Sequence, residues 1–387
     1  MKGVHAFRGG FTLAALVAAV PAIACTTIVA GRCATSTGYV MLGHNEDDRG
    51  DFQVLHAFVP PRSFAPGATL PAEKDHAAVP QVPKALGFYW SEVWNAKWRP
   101  SFADAFLNEK GVAIVSNNAR GKPQKDPALL QDGGMAWTLR LAVAERATSA
   151  RHAVDVITNL VSAWGYAAPG RIYTVADKDE AWVVELAYGR RHFVARRVAD
   201  DEVAMIPNSY TIRAIEPGDV IAPDLAQKGK GFDFAREFQR EDAWKDGHSQ
   251  DRTRNMVRLL TGRDWKNDDY PFSVKPVRKV DVAMMRKVLS THYEGTPDEI
   301  PAGADGLRHD ESRITPICRR STVESSVYEF AATPFDTCLT VAVGSPCSTP
   351  WRTFHPLQRL PPDLDRSSDA LERLAAHPLP TPRKARR

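Results

Sequence analysis

The first 24 residues carry a pattern that sets where the folded part of this chain begins. A positively charged start precedes an uncharged apolar run over residues 11–20, and the small-residue triplet AIA follows at residues 22–24, directly before Cys25. This order of basic, apolar and small-residue segments is typical of a secretory signal peptide. We therefore expect residues 1–24 to be removed on export to the periplasm or the exterior, so that the mature chain begins at Cys25.

Composition excludes several classes of function. The run over residues 11–20 is too short to span a bilayer, and no other segment reaches spanning length. The formal net charge of +4 over 387 residues is small, so neither nucleic acid nor a membrane surface is an expected partner. The histidines lack a metal-ligand spacing such as His-x-x-x-His with a carboxylate, and no glycine-rich phosphate or dinucleotide motif occurs. We expect no metal and no cofactor.

The hydrophobic pattern predicts an α+β protein with one large domain over residues 25–360 and a flexible tail over residues 361–387. Predicted strands cover residues 26–30, 38–42, 88–98, 111–116, 326–330 and 339–343, and three consecutive strands share residues 171–206. Predicted helices cover residues 136–146, 150–165, 232–238, 254–260 and 280–289, with an N-cap at Thr148 or Ser149 for the second. Residues 60–83 are predicted to be irregular.

The five cysteines set limits on disulfide formation. An odd number leaves at least one thiol unpaired within a chain, and an exported protein lies where disulfides persist. If Cys25 is the unpaired one, Cys33, Cys318, Cys338 and Cys347 can form up to two bridges. A Cys338–Cys347 bridge would close a hairpin, but sequence spacing alone leaves the pairing open.

Cleavage after Ala24 would place two reactive groups on Cys25. The thiol has an ordinary pKa of about 8.5 and needs a base to become a nucleophile at neutral pH. A free α-amine, with a pKa of about 7.7–8.0, can accept that proton and later return it to a leaving amine. Cys25 could thus act as nucleophile and base together.

Two other interpretations of Cys25 remain open. It could be an ordinary disulfide cysteine, or a lipid-attachment cysteine, which is also the first residue after cleavage. Lipid attachment favours a residue such as Leu three places before the cysteine, where this chain has Ala22.

Further motifs are similar to one family in their order along the chain. The run CTTIV at residues 25–29, followed by GHNEDD at residues 43–48, resembles the opening of the dipeptidase family of N-terminal cysteine hydrolases, which includes the secernins. Later segments resemble that family in the same order: GVAIVS at 111–116, ERATSAR at 145–151, EAWVVE at 180–185, DEVAMIPN at 201–208, PICR at 316–319, ESSV at 324–327 and GSPC at 344–347. The resemblance extends from Cys25 to about residue 356.

The resemblance implies a four-layer αββα fold in which the N-terminal strand places Cys25 at a cleft between two antiparallel sheets. It also implies acyl transfer through a thioester, followed by hydrolysis. Characterised members mostly hydrolyse dipeptides, whereas a related branch, the bile-salt hydrolases and penicillin V acylases, cleaves other amides. We expect a small peptide or amide as substrate and a dipeptidase as the activity. The alternatives are an acylase of non-peptide amides and a non-catalytic surface lipoprotein.

The resemblance also implies roles for individual residues. Asp47 matches the acid that orients the nucleophile's amine and thiol. Asn118 matches the oxyanion-hole amide of the acylase branch, with Asn117 an equal rival, and such a donor is worth about 10²–10³ in rate. Asn208 matches the Asn that hydrogen-bonds the nucleophile's amine.

An arginine near the thiol is expected within residues 252–258. The family's position falls on Asn255, and the neighbouring Arg254 is the predicted residue. His44 lies where the acylases carry an arginine, which leaves the charge of the substrate pocket open.

Overall fold

The computed structural model describes residues 25–48, 52–71, 75–94, 102–123, 129–229, 231–245, 247–265 and 270–375. The predicted signal segment, residues 1–24, and the last part of the predicted tail, residues 376–387, lie outside the described residues. In the parts of the chain that are described, no helix has the length and apolar character needed to cross a bilayer.

Strands and helices alternate in blocks along the chain. The strands are β1 (Thr26–Ala30), β2 (Met41–Asp47), β3 (Gln53–Val59), β4 (Arg62–Ser63), β5 (Lys84–Ala85), β6 (Phe88–Trp94), β7 (Phe102–Asn108), β8 (Ala113–Asn118), β9 (Arg171–Ala176), β10 (Ala181–Leu186), β11 (Phe193–Arg197), β12 (Val203–Ile206), β13 (Val220–Ile221), β14 (Ser273–Val274), β15 (Thr322–Glu329), β16 (Cys338–Ala342) and β17 (Arg352–Phe354). The helices are α1 (Thr138–Arg146), α2 (Ala150–Trp164), α3 (Pro223–Ala226), α4 (Phe234–Phe238), α5 (Glu241–Lys245), α6 (His248–Thr261), α7 (Val282–Leu289) and α8 (Ala370–Ala375).

Two antiparallel sheets face each other and form the centre of the molecule. One has seven strands in the order β14-β12-β1-β2-β15-β16-β17, and the other has eight in the order β13-β11-β10-β9-β8-β7-β6-β3. Helices α6 and α7 cover the outer face of the first sheet, and α1 and α2 cover the outer face of the second. The four-layer αββα fold implied by the family resemblance is confirmed.

Strand β1 has different surroundings on its two faces because successive side chains of a strand point to opposite sides. Ile28 and Ala30 pack in the hydrophobic cluster beneath α6 and α7. Val29 packs in the main core, and the Thr27 hydroxyl reaches Asn117 of the opposite sheet. The same alternation directs the side chain of Cys25 towards the space between the sheets.

The helices begin and end where local chemistry favours it. The Ser149 side chain accepts a hydrogen bond from the backbone N–H of His152 at 3.1 Å and caps α2, one of the two caps predicted from sequence. Helix α2 ends at Trp164, and the next residue, Gly165, has a φ of 80° that favours glycine. Asp281 caps α7 in the same way, accepting from Met284 N–H at 2.7 Å.

Several predicted boundaries differ from the structure. Residues 171–206 contain four strands instead of three, since a turn near residues 199–202 separates β11 from β12. The acidic run at residues 43–48 was expected to follow a strand, but most of it forms β2, which stays extended between β1 and β15. Helix α6 begins at His248, six residues before its predicted start. Strand β15 begins at Thr322, also before its predicted start at residue 326.

The predicted flexible tail also differs from the structure over its first part. Ala370 and Leu374 are buried in the main core, and the Arg373 guanidinium donates to Glu92 of β6 at 2.6 Å. Residues 361–375 therefore belong to the folded unit, because α8 covers the edge of the eight-stranded sheet at β3.

All five cysteines lie within the described residues, and none is bonded to another. Cys338 begins β16 and lies near His355, whereas Cys347 follows β16 and lies near His309. Of the pairings that the sequence leaves open, a Cys338–Cys347 bridge is not formed, and the two sulfurs have different neighbours.

Candidate active site

The nucleophile candidate lies beside an acid on the neighbouring strand. Strand β1 pairs with β2 so that Thr26 is opposite Asn45, which places Cys25 next to Glu46. Cys25 is only 2% exposed, and its Sγ donates to Glu46 Oε2 at 3.4 Å. The thiol is thus buried at a point where a carboxylate can orient it.

A chain of hydrogen bonds extends from Glu46 towards the opposite sheet. Asn117 Nδ2 donates to Ile206 O at 3.2 Å, so its Oδ1 is the acceptor for the Thr27 hydroxyl at 2.6 Å. The single hydroxyl hydrogen of Thr27 is donated to Asn117. His44 Nδ1, which lies 2.7 Å from Thr27 Oγ1, is therefore the donor in the contact between these two residues. On the other side of the ring, His44 Nε2 lies 3.3 Å from Glu46 Oε2.

This network identifies the role of Asn117. Its side chain joins β8 to β1 and β12 across the inter-sheet space and is fully buried. Asn118, one residue along the strand, points to the opposite side and lines the cavity that contains Cys25. Asn118 Oδ1 accepts from Arg120 N–H at 3.1 Å, so the Nδ2 end is the one that can donate to a ligand. Of the two rivals, Asn118 is the one with access to the cavity.

A buried arginine fixes the backbone of Cys25. Arg252 of α6 is 0% exposed; its Nη1 donates to the carbonyl oxygen of Cys25 at 2.6 Å and to Thr26 Oγ1 at 2.7 Å. Its Nε donates to His248 O at 3.0 Å, and its Nη2 donates to Asn208 Oδ1 at 2.9 Å. A planar guanidinium can satisfy all four acceptors at once, which an ammonium group cannot.

Asn208 lies within this network. Its Oδ1 accepts from Arg252, and its Nδ2 donates to the backbone oxygen of Asn118 at 2.9 Å. The side chain therefore connects the residue that holds Cys25 to the strand end that carries Asn118. The structure places Asn208 beside Arg252 and the end of β8, and a hydrogen bond from Asn208 to the amine of Cys25 stays a prediction.

Asp47 lies on the opposite face of β2 from Glu46. Its Oδ1 accepts from the Thr322 hydroxyl at 2.5 Å, and its Oδ2 is 3.9 Å from Arg319 Nη1. Burial raises the pKa of Asp47 from 3.8 to about 6, although Arg319, Thr322 and Arg252 oppose the shift. Asp47 is thus a buried acid within electrostatic range of Arg252, and Glu46 is the acid in contact with the thiol.

The prediction of Arg254 is corrected by the structure. Residues two apart on a helix differ by about 200° in direction, so Arg254 points away from the side of α6 that carries Arg252. Its guanidinium pairs with Asp298 at 3.0 Å and with Asp251 at 2.9 Å. Arg252 occupies the place that the resemblance assigned to an arginine near the nucleophile.

A cavity of about 270 Å³ opens onto the thiol. It combines acids, arginines and aromatic rings, and its lining comprises Cys25, Glu46, Asp48, Ser116, Asn118, Ala136, Trp137, Arg140, Tyr166, Ala168 and Arg171. Arg140 Nη1 donates to Ser116 Oγ at 2.9 Å, and Arg171 Nε donates to Tyr166 OH at 3.4 Å. The site can therefore receive a small molecule that bears charges of both signs.

Sequence reasoning missed Glu46, Arg140 and Arg171 as site residues. Glu46 had a usable signal: in a strand paired with β1, every second residue of the run at 43–48 shares one face. His44, Glu46 and Asp48 therefore face the cleft when β2 includes them. Arg140 and Arg171 had no such signal, because only the packing of α1 and β9 brings them to the cavity.

Comparison with known proteins identifies the family. Residues 24–356 match the model of Peptidase family C69. The chain belongs to this family. The match begins next to Cys25 and includes every element that builds the cavity.

Relatives of the C69 chain are named as dipeptidases. A "Probable dipeptidase" of Salmonella dublin is 24% identical over 71% of this chain and 67% of its own length. A "Dipeptidase" of Bifidobacterium longum is 27% identical over 71% of this chain and 60% of its own length. The chain thus spans about two thirds or less of the length of these relatives. Among solved structures, a penicillin V acylase from Agrobacterium tumefaciens has a TM-score of 0.42 at 12% identity, covering 88% of each chain.

The hydrogen bonds that Arg252 makes to Cys25, Thr26 and Asn208 lead to a first prediction. Arg252→Lys should lower kcat/KM for the substrate by about 100-fold or more, since a buried acceptor left without its charged donor costs about 3 kcal/mol. Steady-state kinetics on the purified variant measures the effect. Arg254→Lys is the matched control on the same helix and should stay within about threefold of the wild type, because its contacts with Asp251 and Asp298 are half-buried surface pairs. Equal losses in the two variants would contradict the assignment of Arg252.

The raised pKa of Asp47 leads to a prediction about pH. A carboxyl whose pKa is higher in the folded state favours folding below its ordinary value of 3.8, and this contribution is lost as the pH rises through about 6. The rise in the pKa of Asp47 on folding corresponds to at most about 3 kcal/mol of folding free energy, since each pKa unit is worth about 1.4 kcal/mol. Asp47→Asn should therefore gain stability relative to the wild type between pH 4 and pH 7, as measured by urea unfolding at each pH. A difference between the two proteins that does not change with pH would show that Asp47 is not a buried, proton-binding acid.

Proposed function

We propose that this chain is an exported cysteine-type dipeptidase that hydrolyses short peptides through a thioester on Cys25. The observation that carries the proposal is the buried thiol at the inner end of a small cavity lined by two acids and two arginines, in a member of Peptidase family C69. The names of the relatives support the same activity.

The reaction begins with the conversion of Cys25 to an N-terminal residue. Cleavage after Ala24 during export frees an α-amine, which accepts the thiol proton. The sulfur then forms a bond to the peptide carbonyl carbon, and the carbonyl oxygen becomes an oxyanion that Asn118 Nδ2 can stabilise by donating a hydrogen bond. The C–N bond breaks as the ammonium returns its proton to the leaving amine, and a thioester remains.

Hydrolysis of the thioester completes the cycle. A water molecule gives a proton to the α-amine and attacks the thioester carbon, and the C–S bond breaks as the thiol is restored. Arg252 acts throughout as a positioning residue, because it holds the backbone carbonyl of Cys25 and therefore the direction of the thiol. Glu46 orients the thiol through its hydrogen bond.

The charges of the cavity support a dipeptide in preference to an uncharged amide. A free dipeptide carries an ammonium group near the scissile carbonyl and a carboxylate on the leaving side. Glu46 and Asp48 can bind the ammonium group, and the guanidinium groups of Arg140 and Arg171 can bind the carboxylate through paired hydrogen bonds. An acylase substrate with a large apolar acyl group lacks the charged groups that these carboxylates and guanidinium groups would bind.

The nucleophile is tested by substitution and by mass. Cys25→Ala should export and fold but lose all dipeptide hydrolysis, because the thiol is the group that forms the acyl-enzyme. The control Cys33→Ser, at an exposed thiol, should retain wild-type activity. Intact mass of the exported wild type should correspond to a chain that starts at unmodified Cys25. Full hydrolysis by Cys25→Ala would exclude the mechanism, and the added mass of a diacylglyceryl group would favour a surface lipoprotein.

The substrate class is tested with matched ligands. The wild type should hydrolyse a free dipeptide faster than the same dipeptide with a C-terminal amide, and Arg171→Gln or Arg140→Gln should reduce this preference by about 10- to 100-fold, the value of one or two charged hydrogen bonds. Arg151→Gln, which alters a surface ion pair with Asp155, should keep the preference. Turnover of penicillin V or glycine-conjugated bile salts without turnover of any dipeptide would instead support an acylase.

A further inference from the structure

A second cluster of reactive side chains lies outside the cavity. His292, His309, Cys318 and Cys347 place one potential ligand atom each within 4.8 Å of all the others. These residues come from two separate segments: the long connection between α7 and β15 holds His292, His309 and Cys318, and the loop after β16 holds Cys347. The fold therefore assembles two thiols and two imidazoles that no local sequence motif joins.

The distances within the cluster fit a tetrahedral metal site. His309 Nε2 lies 3.6 Å from Cys318 Sγ and 3.3 Å from Cys347 Sγ. Zinc bonds of about 2.3 Å to sulfur and about 2.0–2.1 Å to nitrogen, at tetrahedral angles, place those atoms about 3.5 Å apart. The sulfurs and the imidazole nitrogen are thus already separated as ligands of one ion would be.

His292 supplies a second, independent observation. The residue is 3% exposed, and its Nδ1 lies 2.9 Å from Glu294 Oε1. Its Nε2 is buried and has no hydrogen-bond partner among the described residues. A buried nitrogen without a partner is unfavourable by about 1–3 kcal/mol, and a metal ion would satisfy it. The carboxylate on the other ring nitrogen is the usual outer partner of a metal-binding histidine.

We propose that these four residues bind one zinc ion in a structural Cys₂His₂ site. Two thiolates and two imidazoles are the ligand set that zinc prefers, and four protein ligands leave no position for a substrate or a reactive water. This inference differs from the sequence expectation of no metal, which relied on ligand spacing along the chain.

The metal site would stabilise the segment that packs against the helix side of β2. Cys318 is flanked by Ile317, whose carbonyl accepts from Asn45 Nδ2 at 3.1 Å, and by Arg319, which faces Asp47. Both contacts are made to the face of β2 opposite Glu46. Holding residue 318 in place therefore holds the segment against which the nucleophile's partner strand packs.

The experiment measures metal in the full chain, purified without chelators. Mass spectrometry of the native protein and elemental analysis should find about one zinc per chain, and Co²⁺ exchanged into the site should show thiolate charge-transfer and tetrahedral d–d absorption bands. Cys347→Ser and His309→Ala should lose most of the zinc. Cys347→His, which keeps four ligands, should retain it, so that loss of metal is separated from loss of folding.

Two sets of controls decide the location of the ion. Cys33→Ser and Cys338→Ser should keep about one zinc per chain, because neither residue belongs to the cluster. Cys25→Ala should keep it as well, since Cys25, His44 and Glu46 form a different group of potential ligands. Loss of the zinc in Cys25→Ala would move the ion to the nucleophile and overturn the proposal. A metal-free chain with a Cys318–Cys347 disulfide, two mass units lighter before reduction, would also overturn it.

Discussion

The guanidinium of Arg252 is buried completely and donates hydrogen bonds to Cys25 and to Thr26 at the start of β1, to Asn208 and to its own helix. Through these bonds one side chain joins α6, β1 and the segment after β12. A buried charge is tolerated only when its hydrogen-bonding groups are satisfied. Moving any one of the three segments away would leave part of the Arg252 guanidinium without its acceptors, which is strongly destabilising. The position of Cys25 therefore follows from the geometry of a residue more than 200 positions away in the sequence.

Because side chains alternate along a strand, the two faces of β1 and β2 carry residues with different roles. On the cleft side, Cys25, Glu46 and His44 form the hydrogen-bonded group that contains the thiol. On the helix side, Asn45 donates to the carbonyl oxygens of Leu289 and Ile317, and Asp47 contacts Thr322 and Arg319. The groups near the thiol and the groups that anchor the sheet are thus interleaved in the four-residue run 44–47 of β2.

Much of this architecture can be predicted from sequence. The residues that cannot be predicted are those whose positions depend on side-chain direction or on long-range packing. Strand β1, helix α2 with its Ser149 cap and the location of Cys25 follow from local patterns and from the order of family motifs. The sequence predicts Arg254 because it adjoins Asn255, and position in a motif does not include the direction of a side chain on a helix, which changes by 100° at each residue. Arg140, Arg171 and the Cys₂His₂ cluster were missed because long-range packing alone brings them together. Cys318 and Cys347 were visible only as possible disulfide partners, since spacing tests detect ligands that lie close in sequence.

The register shift between β15 and β2 has a consequence for how this chain can change in evolution. Thr322 pairs with Asp47 and Glu324 with Glu46, so Val323 is an extra residue that the partner strand does not match. Since β2 is paired on both sides, inserting or deleting one residue within 43–48 would exchange its two faces and send the acids of the cleft into the helix layer. Length variation should accordingly be confined to the connections between strands, and substitutions, not insertions or deletions, are the changes by which the lining of the cavity can diversify.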